Sequence, residues 1–389
     1  MSDRSADPVE ITQKLVQCPS VTPEEGGALD YLQELLKDAG FETHRLVFSD
    51  ERSYDVDNLY ARYGRGKPHF CYAGHTDVVP PGDVSAWTRD PFSGDIVEGV
   101  LHGRGAEDMK GSVAAFAAAS INFIEEHPDF GGSISFLITG DEEADAVNGT
   151  IKVIEWADAR GEAIDACIVG EPTNENVLGD SIKNGRRGSL SGLITVEGTQ
   201  GHVAYPETID NPIDRMVPIL AALKMPPLDD GSASFPPSNL EITSVDVGNT
   251  TSNIVPARVS ARFNVRYNDH WSSATMKEEL NRRLKEAAPP ETRLTVEFIR
   301  DVSEVFLTEA EDLIAPLQQA IRDVTGHEPA LSTKGGTSDA RFIKNYCPVV
   351  EFGLVNETLH QVNECVPVSD LKTLSDVYAA FLKRYFKTV

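Results

Sequence analysis

The stretch "FLITGDEEADA", residues 136–146, joins an apolar run to three consecutive carboxylates. The apolar run, residues 134–139, is typical of a strand covered on both faces, as in a parallel sheet between helices. The carboxylates are Asp141, Glu142 and Glu143. Such a triplet is explained either by a solvated turn or by a site at the strand end.

Three further apolar runs have the same character, namely "HFCYAGH" at 69–75, "DACIVGE" at 165–171 and "CPVVEFG" at 347–353. Between them, "DMKGSVAAFAAASINFIEEH" repeats apolar residues at helical spacing. The segment "SDLKTLSDVYAAFLKRYFK" does so as well, with Ser369 as the expected N-cap. Alternating strands and helices predict an α/β catalytic domain with a mostly parallel sheet covered by helices.

The pattern changes after Gly188. The segments "SLSGLITVEG" and "ARVSARFNVRY" alternate apolar and polar residues, which predicts an antiparallel sheet covered on one face. Helical patterns at 211–223 and 273–287 could cover that face, and another at 309–324 resumes the first domain. We therefore expect a catalytic domain in two parts, residues 1–187 and 301–389, with a smaller inserted α+β domain at 188–300.

Composition limits the partners. The chain of 389 residues has 61 acidic and 35 basic residues, and a formal charge of −26 would repel nucleic acid and anionic membranes. No secretory signal pattern or membrane-length apolar run is seen, so a cytoplasmic location is expected. The five cysteines are scattered and lack a C-x-x-C pair, so any metal must use histidine and carboxylates.

Potential metal ligands stand at or near the ends of four predicted strands. They are His75, Glu143, Glu171 and, one loop beyond its strand, His360. Ligands of open α/β sheets bind outside the carboxyl ends of the strands, so these groups should converge. Asp108, in the turn "GRGAEDMKGS", completes a set suited to two zinc ions, each with one histidine and one carboxylate, bridged by Asp108.

Two neighbours of these ligands have expected roles in catalysis. Asp77, two residues after His75, should orient its imidazole. Glu142 should point away from Glu143 on an extended chain and act as the general base, while Asp141 is expected to be structural. Taken singly, each residue has a simpler explanation as a core histidine, a turn or a helix cap.

These residues belong to stretches with a recognisable pattern, namely "AGHTDVVPPGD", "WTRDPFSGDIVEGVLHGRGAEDMKGS", "TGDEEADAVNGT", "VGEPT", "KNGRRGSLSG", "GTQGHVAYP", "GGTSDARF" and "LHQVNE". Together they resemble the two-zinc amidohydrolases that include acetylornithine deacetylases, aminoacylases and glutamate carboxypeptidases. "GHTDVVPPGD", "KNGRRGS" and "GGTSDARF" are most similar to the members that hydrolyse an N-succinyl amino acid. The resemblance runs over nearly the whole chain.

The resemblance implies a ligand assignment and a cofactor. His75 and Glu171 would hold one zinc, Glu143 and His360 the other, and Asp108 would bridge, with a cis peptide after it. The second position would also accept Co²⁺ or another divalent metal.

The resemblance also implies further roles. Glu142 would be the base, and Asp77 would be the partner of the imidazole. A homodimer formed through the inserted domain is implied, in which His202 reaches into the partner's active site. The implied substrate-binding residues are Arg186, Asn253, Arg266, Gly336, Thr337 and Asn356. A clustered excess of arginine on so acidic a chain independently suits a substrate with several carboxylates.

Other functions remain open at the level of sequence. A sibling amidohydrolase, such as an acetylornithine deacetylase or a carboxypeptidase, would share the metal residues but not the substrate pocket. A non-catalytic binding protein with a structural metal is disfavoured because such a site has no use for Glu142. A nucleotide-binding protein is disfavoured because "GRGAED" is not G-x-G-x-x-G.

Overall fold

The computed structural model describes residues 5–51, 53–299 and 303–388. The chain forms two compact units. The first unit comprises Met1–Asn184, Thr308–Ser332 and Ser338–Val389, and the second comprises Gly185–Leu307 and Thr333–Thr337. The domain division predicted between residues 300 and 301 lies outside the described residues.

The helices include five that the sequence patterns predict, at 111–126, 212–224, 273–287, 311–325 and 368–385, and others that they do not. In chain order they are α1 (Pro8–Val16), α2 (Ala28–Asp38), α3 (Gly111–Glu126), α4 (Thr150–Ala159), α5 (Pro212–Lys224), α6 (Ser273–Ala287), α7 (Glu311–Thr325), α8 (Ala340–Ile343) and α9 (Val368–Tyr385). A π-type turn, Ala106–Lys110, leads directly into α3.

The strands include several that the sequence patterns did not predict. In chain order they are β1 (Glu42–Asp50), β2 (Ser53–Tyr63), β3 (His69–His75), β4 (Ile96–Val97), β5 (Val100–His102), β6 (Ser133–Thr139), β7 (Ala166–Val169), β8 (Ser181–Lys183), β9 (Gly185–Arg186), β10 (Gly188–Glu197), β11 (Gly201–His202), β12 (Asn239–Asp246), β13 (Ile254–Val255), β14 (Arg258–Tyr267), β15 (Arg293–Phe298), β16 (Phe306–Leu307), β17 (Ala330–Ser332), β18 (Val349–Glu351) and β19 (Cys365–Pro367).

An eight-stranded sheet in the order β1-β2-β6-β3-β7-β18-β8-β17 forms the core of the first unit. Its central strands β6, β3, β7 and β18 run parallel to one another. These are the four apolar runs of the sequence, and β3 and β6 are buried at every residue. The pairs β1–β2, β2–β6 and β18–β8 are antiparallel and the edge pair β17–β8 is parallel, so the sheet is mixed and has a parallel centre.

The second unit contains a four-stranded antiparallel sheet in the order β12-β14-β10-β15. The predicted apolar face of β14 is buried throughout and comprises Val259, Ala261, Phe263, Val265 and Tyr267. Met216 and Ile219 of α5, and Leu280 of α6, belong to the same apolar cluster. Helices therefore cover one face of the sheet, as the alternating pattern predicts.

The start of α9 corrects one prediction. The helix begins at Val368 and its N-cap residue is Pro367. Ser369 lies inside the first turn, and its hydroxyl donates to Oδ1 of Asp370 at 3.2 Å. Ser369 is therefore not the N-cap, because a capping side chain must accept from a backbone amide of the first turn.

In the part of the chain that the structure describes, no helix is both long and apolar enough to cross a membrane.

Candidate metal centre

Parallel strands bring the predicted ligands of the first unit to one edge of its sheet. His75 is the last residue of β3, Glu143 follows β6 and Glu171 follows β7. One group of potential ligand atoms, within 4.8 Å of one another, comes from His75, Asp108 and Glu143. A second group comes from His75, Glu142 and Glu171.

The carboxylate of Asp108 lies between two imidazoles. Its Oδ1 is 3.3 Å from Nε2 of His75, and its Oδ2 is 3.1 Å from Nε2 of His360. The same nitrogen of His360 is 3.0 Å from Oε1 of Glu143. A carboxylate that directs one oxygen to each of two histidines has the geometry of a bridging ligand between two metal positions.

Two buried polar atoms in this cluster suit a bound cation. Nε2 of His75 and Oδ1 of Asp108 make no hydrogen bond with any described residue, although both are buried. Buried polar atoms are rarely left unsatisfied in native proteins. Imidazole nitrogen and carboxylate oxygen are donors that zinc and related divalent metals accept, so the residues present fit a metal pair.

Asp77 contacts both halves of the site. Its backbone carbonyl accepts a hydrogen bond from Nδ1 of His75 at 2.9 Å, whereas its Oδ1 is 3.6 Å from that nitrogen. The carboxylate instead accepts from the backbone amides of Glu142 and Glu143, at 3.3 and 3.2 Å, and from the hydroxyl of Thr22 at 2.8 Å. Asp77 thus orients the imidazole through its main chain and the acidic pair through its side chain.

The acidic pair itself lies in a turn rather than on the extended chain that we expected. Asp141 holds this turn, because its carboxylate accepts from the hydroxyl of Tyr54 and from the amides of Val147 and Asn148. The tight turn lets both glutamate side chains reach the edge of the sheet, where they enter different ligand groups.

Burial and the neighbouring charges shift the pKa values of this cluster strongly. Burial raises the pKa of Glu142 well above its usual value, and the carboxylate of Glu171 raises it further. Hydrogen bonds to Asp108 and Glu143 raise the pKa of His360 to about 10. Burial opposes ionisation of Asp108, but the neighbouring imidazoles of His360 and His75 hold its pKa below the usual value.

The turn that carries Asp108 has the local geometry that the sequence analysis expected. The peptide bond between Asp108 and Met109 is cis. Asp108 departs from helical geometry inside the π-type turn, with φ −121° and ψ 102°. Its amide donates to Oε1 of Glu364 at 3.2 Å.

The second unit brings together several of the predicted substrate-binding residues. The guanidinium of Arg186 donates to the carbonyl of Lys334 at 2.9 Å, and that of Arg266 donates to Oγ1 of Thr337 at 2.6 Å. Both arginines therefore contact the segment that contains Gly336. A Cβ at Gly336 would have no heavy atom within 4 Å among the described residues, so the backbone there is open to a ligand.

His202 and Asn253 lie side by side on a two-stranded ribbon of the second unit. His202 is in β11 and pairs with Ile254 of β13, and the amide of Val203 donates to the carbonyl of Asn253 at 3.1 Å. Both residues are exposed. In the first unit, the amide of Asn356 donates to the carbonyl of Asn174 at 3.0 Å, at the start of the loop that leads to His360.

Four residues that contact the cluster or its neighbours have no role predicted from the sequence. These are Thr22, Arg104, Glu107 and Glu364. The last three stand in the quoted stretches "GRGAEDMKGS" and "LHQVNE", within four residues of Asp108 or His360. That proximity was the available signal, but it does not reveal which carboxylate pairs with which backbone.

Comparison with known proteins identifies relatives along the full chain. The family model described as "Peptidase family M20/M25/M40" matches residues 71–384. The chain is 53% identical over 389 residues to a succinyl-diaminopimelate desuccinylase of Methylorubrum populi, covering 100% of both chains. It is 53% identical over 387 residues to a protein of the same name from Rhodopseudomonas palustris, covering 99% of each chain.

Solved structures with low sequence identity share the fold. An M20 family metallo-carboxypeptidase from Sulfolobus solfataricus has a TM-score of 0.79 at 19% identity, with 100% of both chains covered. Human carnosine dipeptidase 1 has a TM-score of 0.75 at 20% identity, with 98% of this chain and 96% of that chain covered. A dinuclear metal binding peptidase of the M20 family from Bacillus subtilis has a TM-score of 0.71 at 16% identity, with 98% of both chains covered.

Proposed function

The chain belongs to peptidase family M20/M25/M40, and we propose that it is a two-metal amide hydrolase. Its proposed substrate is N-succinyl-LL-2,6-diaminopimelate, and the products are succinate and LL-2,6-diaminopimelate. The reaction would be a cytoplasmic step in diaminopimelate and lysine biosynthesis. The name of the relatives that are 53% identical over the full chain supports this substrate.

One observation carries the proposed chemistry. Asp108 directs one carboxylate oxygen to His75 and the other to His360, and Glu142 lies beside this pair, with Oε2 4.0 Å from Nε2 of His75. A structural metal site has no need for a further carboxylate next to its ligands. We propose that His75 and Glu171 hold one zinc ion, that Glu143 and His360 hold the second, and that Asp108 bridges them.

The proposed reaction uses Glu142 as its base. Bound zinc ions would polarise the scissile carbonyl and lower the pKa of the attacking water. Glu142 takes a proton from this water while the water oxygen bonds to the amide carbon. The same residue then gives the proton to the leaving nitrogen as the C–N bond breaks.

Residues of the second unit are proposed to bind the substrate and to pair two chains. Arg186 and Arg266 would bind substrate carboxylates, because a guanidinium forms paired hydrogen bonds with a carboxylate. Asn253, Gly336 and Thr337 would add hydrogen bonds, as would Asn356 of the first unit. The inserted unit would form a homodimer, in which His202 stabilises the developing oxyanion in the partner's site.

Turnover of N-succinyl-LL-2,6-diaminopimelate by the zinc-loaded protein tests the proposal. The comparison substrates are N-acetylornithine and a set of other N-acyl amino acids at equal concentration. We expect kcat/KM to be highest for the N-succinyl substrate. A higher value for N-acetylornithine would instead assign the chain to the deacetylase side of the family, and no turnover of any substrate would overturn the hydrolase proposal.

A further inference from the structure

Two buried glutamates of the first unit have no part in the proposed reaction, yet each stands close in sequence to a proposed metal ligand. Glu107 precedes Asp108 and is 2% exposed, and Glu364 follows His360 by four residues and is 0% exposed. Ionisable side chains are seldom buried so completely unless they have fixed partners. Their partners therefore indicate what they do.

Glu364 holds the backbone of the segment that carries Asp108. Its Oε1 accepts hydrogen bonds from the amides of Glu107 and Asp108, at 2.9 and 3.2 Å. Its Oε2 accepts from Nη1 of Arg104 at 2.5 Å. The carboxylate from the His360 segment thus fixes the main chain of the bridging residue.

Glu107 makes the reciprocal contact with the loop that carries His360. Its Oε2 accepts from both the amide and the hydroxyl of Thr358, two residues before His360. The hydroxyl oxygen of Thr358 in turn accepts from the amide of Cys365 at 3.1 Å, which closes the loop around His360. Nη2 of Arg104 also donates to the carbonyl of His360 at 3.3 Å.

The loop needs such contacts because of its backbone. His360 has φ 59° and Asn363 has φ 64°, which lie in the left-handed region. That region is unfavourable for residues other than glycine, and it persists where surrounding contacts enforce it. His360 itself is exposed to 45% of its side-chain surface, so packing contributes little to holding its ring.

We propose that Glu107 and Glu364 are positioning residues that fix Asp108 relative to His360. They would thereby set the affinity of the metal position formed by Asp108, Glu143 and His360. This inference rests on the two-metal site of the proposed function. The other position would share Asp108, but its remaining ligands, His75 and Glu171, stand at the end of β3 and just after β7, so the loss of the two glutamates should affect it less.

The test is a metal titration of chelator-treated protein with Co²⁺ and with Zn²⁺, read by calorimetry and by competition with a chromogenic chelator. Glu107→Ala removes the acceptor for Thr358. It should weaken the metal affinity of the position formed by Asp108, Glu143 and His360 by about 10- to 100-fold. Glu107→Gln keeps an oxygen that can accept from Thr358 but removes the charge, so it should restore most of that affinity.

Two further variants locate the effect. In a His360→Ala background, Glu107→Ala should cause no additional loss at the remaining position, because the coupled ligand is already absent. The matched control is Glu162→Gln, which breaks another Arg–Glu pair of the same unit, between Glu162 and Arg62. It should lower the melting temperature without changing either metal affinity.

If Glu107→Ala does not fold, Thr358→Val replaces it in the test. Thr358→Val removes one of the two donors to Glu107 and should weaken the same affinity less.

The outcomes are distinct. Equal losses from Glu107→Gln and Glu107→Ala would overturn the proposal in favour of a charge effect. If both metal affinities fall equally and the melting temperature falls with them, the two glutamates stabilise the fold and do not position one metal site. If the variants behave as expected but no N-acyl substrate is hydrolysed, the proposed function fails while the positioning role stands. A wild-type chain that binds a single metal would overturn the two-metal function, and the same variants would then test the positioning role on that one affinity.

Discussion

Oδ1 of Asp77 accepts a hydrogen bond from the backbone amide of Glu142 at 3.3 Å. This contact links the strand that ends at His75 to the turn that carries the proposed base. A carboxylate can accept hydrogen bonds at both oxygens. Oδ2 of Asp77 accepts from the amide of Glu143 and from the hydroxyl of Thr22. Asp77 therefore holds His75 through its backbone carbonyl and the acidic pair through its side chain.

Asp77→Asn should reduce both activity and metal affinity. The asparagine amide nitrogen is a donor, so it would face an amide of Glu142 or Glu143 and leave that amide unsatisfied. We expect a loss of about 10- to 100-fold in kcat or in metal affinity. Thr22→Val is the control, since it removes only one donor to Asp77 and should have a smaller effect. Unchanged kinetics and metal binding in Asp77→Asn would contradict this role.

Glu142 and Glu143 should be separable by substitution, although they are adjacent. Glu142→Ala should lose at least about 10²-fold in kcat, as expected for a general base, while two zinc ions remain bound per chain. Glu143→Ala should lose metal as well as activity, because a ligand is removed. Elemental analysis and steady-state kinetics on both variants distinguish the roles. High activity in Glu142→Ala would show that another residue is the base.

The sequence predicted the parallel centre of the sheet because four strands there are buried on both faces and read as continuous apolar runs. It did not predict β1, which is partly exposed along its length, or β2, whose buried residues are mixed with polar ones. The residue type of Ser369 favours an N-cap, but helix α9 begins at Val368 and its N-cap is Pro367. Boundaries of this kind depend on local backbone angles that composition does not fix.

The candidate site, like the fold, can be predicted only in part from the sequence. Strand ends and ligand chemistry predict which side chains meet, since parallel strands place their ends at one edge. They do not predict which atom of a residue makes a contact. Asp77 contacts His75 through its carbonyl rather than its carboxylate, and the pairing of Glu107 with Thr358 joins residues 251 positions apart. Such contacts depend on how loops meet in three dimensions.

Metal binding to the metal-free protein should release protons. The hydrogen bonds that raise the pKa of His360 to about 10 keep its ring protonated at neutral pH, and a metal can bind only the neutral ring. The apparent zinc affinity should therefore rise with pH from about 6 to about 9. Calorimetry at one pH in two buffers with different protonation enthalpies counts the protons released.

The same pKa shift has a consequence for folding. The pKa of His360 in the folded chain exceeds the usual histidine value of about 6.5. The protonated ring therefore stabilises the metal-free fold, and this contribution is fully present below about pH 6.5. The contribution is lost as pH rises through about 10.

His360→Ala is the control for the calorimetry of metal binding and should release about one proton fewer. Identical binding enthalpies in the two buffers would contradict proton release.

Gly336→Ala tests the proposed substrate contact without disturbing the fold. A Cβ there meets no described atom within 4 Å, so the melting temperature should hardly change. If substrate approaches this backbone, the added methyl group should raise KM more than it lowers kcat. Gly335→Ala is a contrasting variant, because φ at that residue is 110° and a Cβ would lie 2.2 Å from Nη1 of Arg186. It should lower stability. An unchanged KM in Gly336→Ala would remove this residue from the proposed site.

His202 can be tested for action across a dimer by mixing two inactive variants. If neither chain is complete alone, Glu142→Ala and His202→Ala homodimers should each be nearly inactive, since each lacks the base or the oxyanion donor at both sites. A mixed dimer would have one site with both wild-type groups. Random reassortment makes half of the dimers mixed, each with one working site of two, so co-refolding equal amounts should restore about a quarter of wild-type activity. A mixture that remains as inactive as its parents, despite subunit exchange demonstrated by native mass spectrometry, would show that His202 does not act in the partner's site.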